Sequence, residues 1–547
     1  MVTAGSGSFQ ADLPLCEILR QAKDSVCVNF VPVKPQHLKD LERAVGDPMY
    51  VVWRPEDLLL YEYDGSIDRA VPGAVVLPGS AGEVAECVRI ASRYGLDIVP
   101  RGAGTGLSGG AIPLRNSLVI ALTRLSRILE VDVEDRVAIV EPGVVNLDLT
   151  TAVAKHGLYY APDPSSQRAC TIGGNVAENA GGPHCLAYGV TTNHVMGVEV
   201  VLADGSLVWL GGDARESPGY DLRGVFIGSE GTLGIVTKVA VRLMRAPEAV
   251  KTLLAAFRTM DDASQAVSDI IAAGIIPAAL EMMDAVTIRA CEAVYHPGYP
   301  SDAEAVLIVE VDGLREHVAE ESAQCEAILR RNRASEIRAA TDAAKRAELW
   351  ATRKGAIGAM GTLAPNYYLV DGVAPRTKLK EVMRTVRAVG DELGLTIANV
   401  FHAGDGNIHP CILFDERKPG DVQKVIAAGH RILQACVEAG GALSGEHGIG
   451  IEKQAYMGMV FTPEDLEAMM RLRPAFGQQV ESPSTPASEY PSAPRGHPIR
   501  GEGTVRRSRF NPGKVFPGGA VHGEWYEQPP EHAASFKARR TGGAEIV

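Results

Sequence analysis

"PRGAGTGLSGGA", Pro100 to Ala111, is the stretch on which the fold turns. Its segment Gly104-Thr105-Gly106-Leu107-Ser108-Gly109 satisfies the GxGxxG spacing of a dinucleotide-binding loop, a weak signal by itself. A Rossmann loop must open a helix whose N-terminus holds the pyrophosphate. Here Pro113 and the strand-like "SLVIAL" (117–122) follow at once and leave no room for that helix, so Rossmann topology is rejected. What remains is a run of glycines after the strand "DIVPRG" (97–102). Its successive N–H groups can converge on an anion such as a diphosphate, although a plain glycine-rich turn is the alternative.

Two more stretches weigh against the plain turn. "YAPDPSSQRACTIGGNVAENAGGPHCLAYG" (160–189) is long and polar, with Ile172 and Val176 as its main large apolar side chains. Loops of this length inside a compact domain are usually functional, and this one suits wrapping a flat polar heterocycle with backbone contacts. "GSEGTLGIVT", from Gly228, adds further close backbone approach.

At 547 residues, 46% apolar and 22% charged, the chain can bury the cores of two or three domains. A formal charge of -13 without a long basic stripe argues against a nucleic-acid partner. The nine cysteines are scattered and contain no CxxC pair, so neither a disulfide framework nor an iron–sulfur or zinc-ribbon site is indicated. They are expected reduced, in a cytoplasmic protein. No basic leader and no run of about eighteen apolar residues is visible, so membrane contact is expected only through partners.

Texture divides the chain. Residues 1–54 read as a helical lead-in, since "QHLKDLERAV" has helical spacing, and 55–245 as a β-rich unit cut by glycines. Residues 246–476 alternate strands ("AEAVLIVEV", "NYYLVDGV") with helices ("LKEVMRTVRAVGDEL", "VQKVIAAGHRILQACVEAGG") in two successive βαβ-like units, hence an α+β domain with one sheet covered by helices. Residues 477–509, rich in Pro, Ser, Gly and Arg, read as a disordered insertion, and 510–547 as the apolar turn "FNPGKVFPGG" with a tail.

"NVFHAGDGNIHPC" (399–411) holds two histidines seven residues apart around "GDGN", which reads as a hairpin turn whose glycines at 404 and 406 permit positive φ. Such a hairpin can bring His402 and His409 together as imidazole ligands, while polar hairpin residues with satisfied hydrogen bonds are the simpler reading of the pair alone. "SGEHGIG" (444–450) adds a carboxylate and a further imidazole, Glu446 and His447, between glycines. Two histidines and a carboxylate make a common open set for a divalent metal.

In order along the chain, "PRGAGTGLSGGA", "PDPSSQ", "GGNVAENAGGPHC", "GSEGTLGIVT", "ALEMMD" (279–284), "FHAGDGNIHP", "SGEHGIG" and "NPGK" resemble the FAD-binding D subunits of bacterial glycolate oxidases, flavoproteins of the vanillyl-alcohol oxidase type. The resemblance runs from about residue 15 to Phe476 and resumes at Phe510. It implies an FAD-binding domain of that (PCMH) type, then an α+β substrate or cap domain, then a C-terminal segment returning to the flavin.

Carried over by the resemblance, Pro100, Arg101, Gly102, Ala103, Gly104, Thr105, Gly106 and Leu107 cradle the pyrophosphate. Pro162, Asp163, Ile172, Gly173, Gly174, Asn175, Asn179, Glu230, Gly234, Ile235, Val236 and Asn511 line the rest of FAD. Thr105 stands where some relatives carry a histidine bonded to the flavin, so non-covalent FAD is expected. His402, His409 and Glu446 become ligands of a divalent metal, Zn or Mn, and His447 the base. Arg353, in "AELWATRKGAIGAM" (347–360), meets the substrate carboxylate with its planar fork, and Asn407 touches substrate or ligand. Relatives taking a larger diacid carry a threonine four residues beyond this arginine; Ile357 here fits a small substrate.

The expected activity is oxidation of glycolate, and of D-lactate, to the 2-keto acid, with the hydroxyl proton passing to His447 and a hydride from Cα to flavin N5. A stand-alone D-lactate or other D-2-hydroxy-acid dehydrogenase shares these motifs. A flavin-binding scaffold without turnover is the reading from another class, and the complete set of His402, His409, Glu446, His447 and Arg353 opposes it. With no cysteine cluster to relay electrons, the resemblance implies a second FAD-type subunit and an iron–sulfur subunit as partners, at the inner face of the membrane.

Overall fold

Short apolar runs broken by glycine build the amino-terminal half. In the computed structural model, which describes residues 33–113, 117–212 and 219–477, the lead-in helix forms at Pro35–Val45 and buries Leu41 and Val45. Strands β1 (Val51–Val52), β2 (Ala74–Val76), β3 (Ile98–Arg101) and β4 (Leu118–Ala121) form a sheet in the order β1-β2-β4-β3, in which β4 is parallel to both β2 and β3. β2 and β4 are buried throughout, which is why they read as unbroken Ala, Val, Ile and Leu. No helix lies among the described residues between β3 and β4, as the rejection of a Rossmann loop requires.

Next come β5 (Ile128–Asp132), β6 (Val137–Val140), β7 (Leu158–Tyr159), β8 (Val195–Val201), β9 (Leu207–Gly211), β10 (Ile235–Arg242) and β11 (Met244–Arg245). Five of these make an antiparallel sheet in the order β5-β6-β10-β8-β9, and β7 pairs with β11. The segment 160–189 is not the open loop expected. It contains the helix Ile172–Glu178, whose first turn is capped by the Thr171 hydroxyl, and a helical turn at Cys185–Tyr188. Ile172 and Val176, four residues apart, share one face of that helix and are fully buried in the core beneath β8 and β10.

The carboxy-terminal half carries β12 (Ala249–Phe257), β13 (Ala279–Asp284), β14 (Ala305–Gly313), β15 (Glu336–Ala339), β16 (Asn366–Leu369), β17 (Gly372–Val373), β18 (Thr396–His402), β19 (Asn407–Ile408) and β20 (Pro410–Phe414) in a nine-stranded sheet. The first expected βαβ unit is present in split form: β12 and β13, joined by the helix Met260–Ala272, both run antiparallel to β14 between them. One face of the sheet packs on this helix and on Arg315–Arg331, Leu379–Leu393 and Asp421–Glu438. The other packs on Ala285–Tyr295 and Ala343–Ala359, the helix of Arg353.

The hairpin differs from expectation by one residue. β18 ends at His402, the turn is Ala403–Gly406, and Asn407 already belongs to β19, where it pairs with His402. Of the two glycines only Gly406 has positive φ, +80°, and a Cβ there would also run into the Ala374 carbonyl. The expected insertion, Asn511 and the turn at 510–514 lie outside the described residues. No helix of the described residues is long and apolar enough to cross a membrane.

Candidate active site

A cavity of about 370 Å³ runs between the two halves of the described chain. Pro100–Leu107, Gly173–Asn175, Glu230 and Gly234–Val236 line one part of it, and Arg353, His402, His409, Glu446 and His447 another. Most of the residues singled out in the sequence therefore line one cavity. Pro162, Asp163, Ile172 and Asn179 do not: they stand behind it. The Pro162 carbonyl accepts from Asn146 Nδ2 at 3.0 Å, Asp163 Oδ2 meets His184 Nδ1 at 2.9 Å, and Ile172 is core. Asn179 ends its helix at φ +52° and accepts from Thr192 N at 2.9 Å.

Arg101 shapes the glycine loop from within, its Nη2 donating to the Tyr63 carbonyl at 2.8 Å and its Nη1 to Ala111 at 3.4 Å. Glu178, within the stretch 172–179, also lines the wall. Burial and the neighbouring Glu230 carboxylate push its carboxyl well above the usual range.

At the other end three imidazoles converge on one oxygen. Glu446 Oε1 lies 3.0 Å from His402 Nε2, 3.2 Å from His409 Nε2 and 3.7 Å from His447 Nε2. Donor atoms each about 2.1 Å from a shared tetrahedral ion stand about 3.4 Å apart, so the first two separations fit a common divalent ion. Both ring nitrogens of His409 are buried without a hydrogen-bond partner, a further mark of a donor set that wants a cation. Burial alone would push Glu446 up, but the two imidazoles outweigh it and hold the carboxylate well below its usual range.

A second group of possible ligands, Asp371, His409 and His447, is less suited. The Asp371 carboxylate is already saturated by Ser444 Oγ (2.7 Å), the N–H groups of Gly445 (3.1 Å) and His447 (3.0 Å), and Lys453 Nζ (3.0 Å). Its work is to hold the "SGEHG" backbone in a nest, with Lys453 buried beneath. His447 stacks on His409 with ring centroids 4.8 Å apart, and burial pushes its imidazole down to about 4.

Glu281 was quoted in the sequence but given no role. It bridges the site, with Oε1 at 2.7 Å from His402 Nδ1 and Oε2 paired with Arg353 Nη2. Bonding to Nδ1 turns His402 Nε2 toward Glu446, the usual way an outer carboxylate orients a ligating imidazole. Arg353 keeps its Nε buried and unpartnered. Asn407 does not line the cavity; its amide packs against Gly445, in the loop that carries Glu446 and His447. A signal for Asp371 and Glu281 was available in the sequence: Asp371 is the one acid of "NYYLVDGV", and Glu281 interrupts the apolar residues of "ALEMM", which burial tolerates only with partners.

Residues 72–211 match the FAD binding domain family, and residues 246–477 the C-terminal domain of FAD linked oxidases. Glycolate oxidase subunit GlcD of Escherichia coli (strain K12) is 47% identical over 77% of this chain and 85% of its own length, and that of Bacillus subtilis (strain 168) 41% over 76% and 89%. The D-lactate dehydrogenase of Archaeoglobus fulgidus is 34% identical over 78% and 94%. Among solved structures, p-cresol methylhydroxylase superposes with a TM-score of 0.69 at 16% identity, over 82% of this chain and 96% of that one. 4-Ethylphenol oxidase from Gulosibacter chungangensis gives 0.66 at 18%, over 84% and 97%; at these identities both speak for the fold alone. The chain thus belongs to the FAD-linked oxidases, in the branch of the glycolate oxidase D subunits and D-lactate dehydrogenases, and is an FAD-dependent hydroxy-acid oxidoreductase with a PCMH-type flavin domain.

Proposed function

We propose that the chain oxidises glycolate, and D-lactate as a second substrate, to the 2-keto acid, as the catalytic subunit of a glycolate oxidase assembly. The observation that carries this is the convergence of Arg353, His402, His409, Glu446 and His447 in the cavity walled by the glycine loop. The names of the Escherichia coli and Bacillus subtilis relatives support the substrate and the subunit role.

When bound, FAD supplies the hydride acceptor, and a divalent ion, Zn or Mn, supplies a Lewis acid that eases loss of the substrate hydroxyl proton. His402, His409 and Glu446 would hold that ion. Arg353 offers its unpartnered Nε–H to the substrate carboxylate, with Glu281 fixing the guanidinium from behind. His447 accepts the hydroxyl proton. Ile357, Leu369 and Val400 close this end of the cavity with apolar side chains, which suits an acid without a second polar group. FAD is held non-covalently, since Thr105 offers no ring nitrogen to the flavin. Electrons leave to a second FAD-type subunit and an iron–sulfur subunit; the seven cysteines among the described residues are free.

The test is anaerobic flavin bleaching of the purified chain by glycolate, D-lactate, L-lactate and D-2-hydroxyglutarate. Bleaching by glycolate and D-lactate is expected. Bleaching by D-lactate alone would favour a stand-alone D-lactate dehydrogenase, a reading supported by relatives of that name. No bleaching by any of the four acids would sink both.

A further inference from the structure

The loop carrying Glu446 and His447 is gripped from two directions. Asp371, in the same half of the chain, accepts from the N–H groups of Gly445 and His447. The second grip comes from the flavin half. Ser108, fully buried, donates its hydroxyl to the His447 carbonyl at 2.8 Å, and the Ser108 carbonyl accepts from Glu452 N at 3.2 Å. Glu230 accepts from Ile449 N through one oxygen and from Gly450 N through the other, both at 2.7 Å.

The fit is demanding. Glu230 is held at φ +52°, a region that non-glycine residues seldom occupy and that persists only where the surroundings enforce it. Gly450 comes so near the glycine loop that a Cβ would run into the Ser108 carbonyl. Both polar side chains are engaged by the 447–450 loop. Ser108 does not line the cavity, and each oxygen of Glu230 already has a loop N–H. Yet Ser108 directly follows Thr105–Leu107, and Glu230 sits among the wall residues Ser229 and Gly231. The segments that line the flavin cavity therefore also fix where the main chain of His447 stands.

We propose that Ser108 and Glu230 are positioning residues for His447, registering the base against the flavin from across the two halves. This rests on the reading of His447 as the base. The test uses the FAD-loaded full chain and the variants Ser108→Ala, Glu230→Gln and His447→Ala. Anaerobic bleaching is followed against substrate concentration, and FAD affinity is measured by fluorescence.

Since displacing a catalytic group by about 1 Å costs on the order of 100-fold, Glu230→Gln is expected to slow bleaching about 100-fold and Ser108→Ala about tenfold, with substrate and FAD dissociation constants within about threefold of wild type. Weakened FAD binding with an unchanged bleaching rate would make Glu230 a cofactor ligand and overturn the proposal. Should Glu230→Gln fail to fold, Ser108→Ala decides by the same split. Full-rate bleaching by His447→Ala would remove the base reading itself. An inactive His447→Ala beside Ser108→Ala and Glu230→Gln at wild-type rates would remove the positioning role alone.

Discussion

Glu446 Oε1 has three imidazole nitrogens within 3.7 Å, and Glu281 orients one of these rings, that of His402. Its two oxygens tie His402 to Arg353, so one carboxylate holds both a metal-ligand candidate and the proposed partner of the substrate carboxylate. Glu281→Gln replaces one of these acceptors with an amide, and loss of such an outer partner is expected to weaken Zn or Mn binding about 10–100-fold, read by competition with a chelating dye. Unaltered metal affinity in that variant would show that Glu281 does not orient His402. His409→Ala removes one of the three candidate ligands and is expected to leave a flavin-loaded protein whose metal content falls to background by elemental analysis. A wild-type metal content in His409→Ala would remove His409 from the set.

The hairpin β18–β19 is the element that brings the candidate ligands His402 and His409 together, and its turn rests on Gly406. With φ +80° and the Ala374 carbonyl against it, Gly406→Ala combines backbone strain with a clash and is expected to cost about 1–3 kcal/mol, measured by denaturant unfolding. Because His402 is the strand partner of Asn407, the same change is expected to lower metal affinity as well; a stable variant with full metal binding would contradict the turn's role.

This hairpin was legible because alternation and turn glycines are local signals, although the one-residue error in the turn shows that register depends on the partner strands, here β13 and β17. The helix Ile172–Glu178 escaped because two glycines weaken its propensity; burial of Ile172 and Val176 overrides that. Asp163 and Ile172 were placed at the flavin by family pattern; their side chains are engaged by an ion pair and by the core and do not line the cavity. No local pattern announces such pairings between distant segments.

On the scale of the whole molecule the two halves are also joined by a buried network. His184 lies between Asp163 (2.9 Å) and Glu310 (3.2 Å), and Glu310 also accepts from Arg346 and Trp350. Burial alone would lower the His184 imidazole, but the two carboxylates outweigh it and raise it from its ordinary 6.5 to about 10. A folded-state value above the unfolded one means the contribution to stability is complete below about pH 6.5 and is lost as pH rises toward 10. The melting-temperature gap between wild type and His184→Gln is therefore expected to narrow steadily from pH 7 to pH 10. A gap constant across that range would contradict a charged His184 in the folded protein.

His447, at the flavin cavity, is proposed to take the proton from a bound 2-hydroxy acid. The most direct test is the anaerobic single-turnover reduction of bound FAD by glycolate in wild type and in His447→Ala, at equal flavin and metal content. The variant is expected to keep both and to reduce its flavin about 100- to 10,000-fold more slowly, the range removed with a general base. Reduction of the flavin at the wild-type rate in His447→Ala would contradict that role.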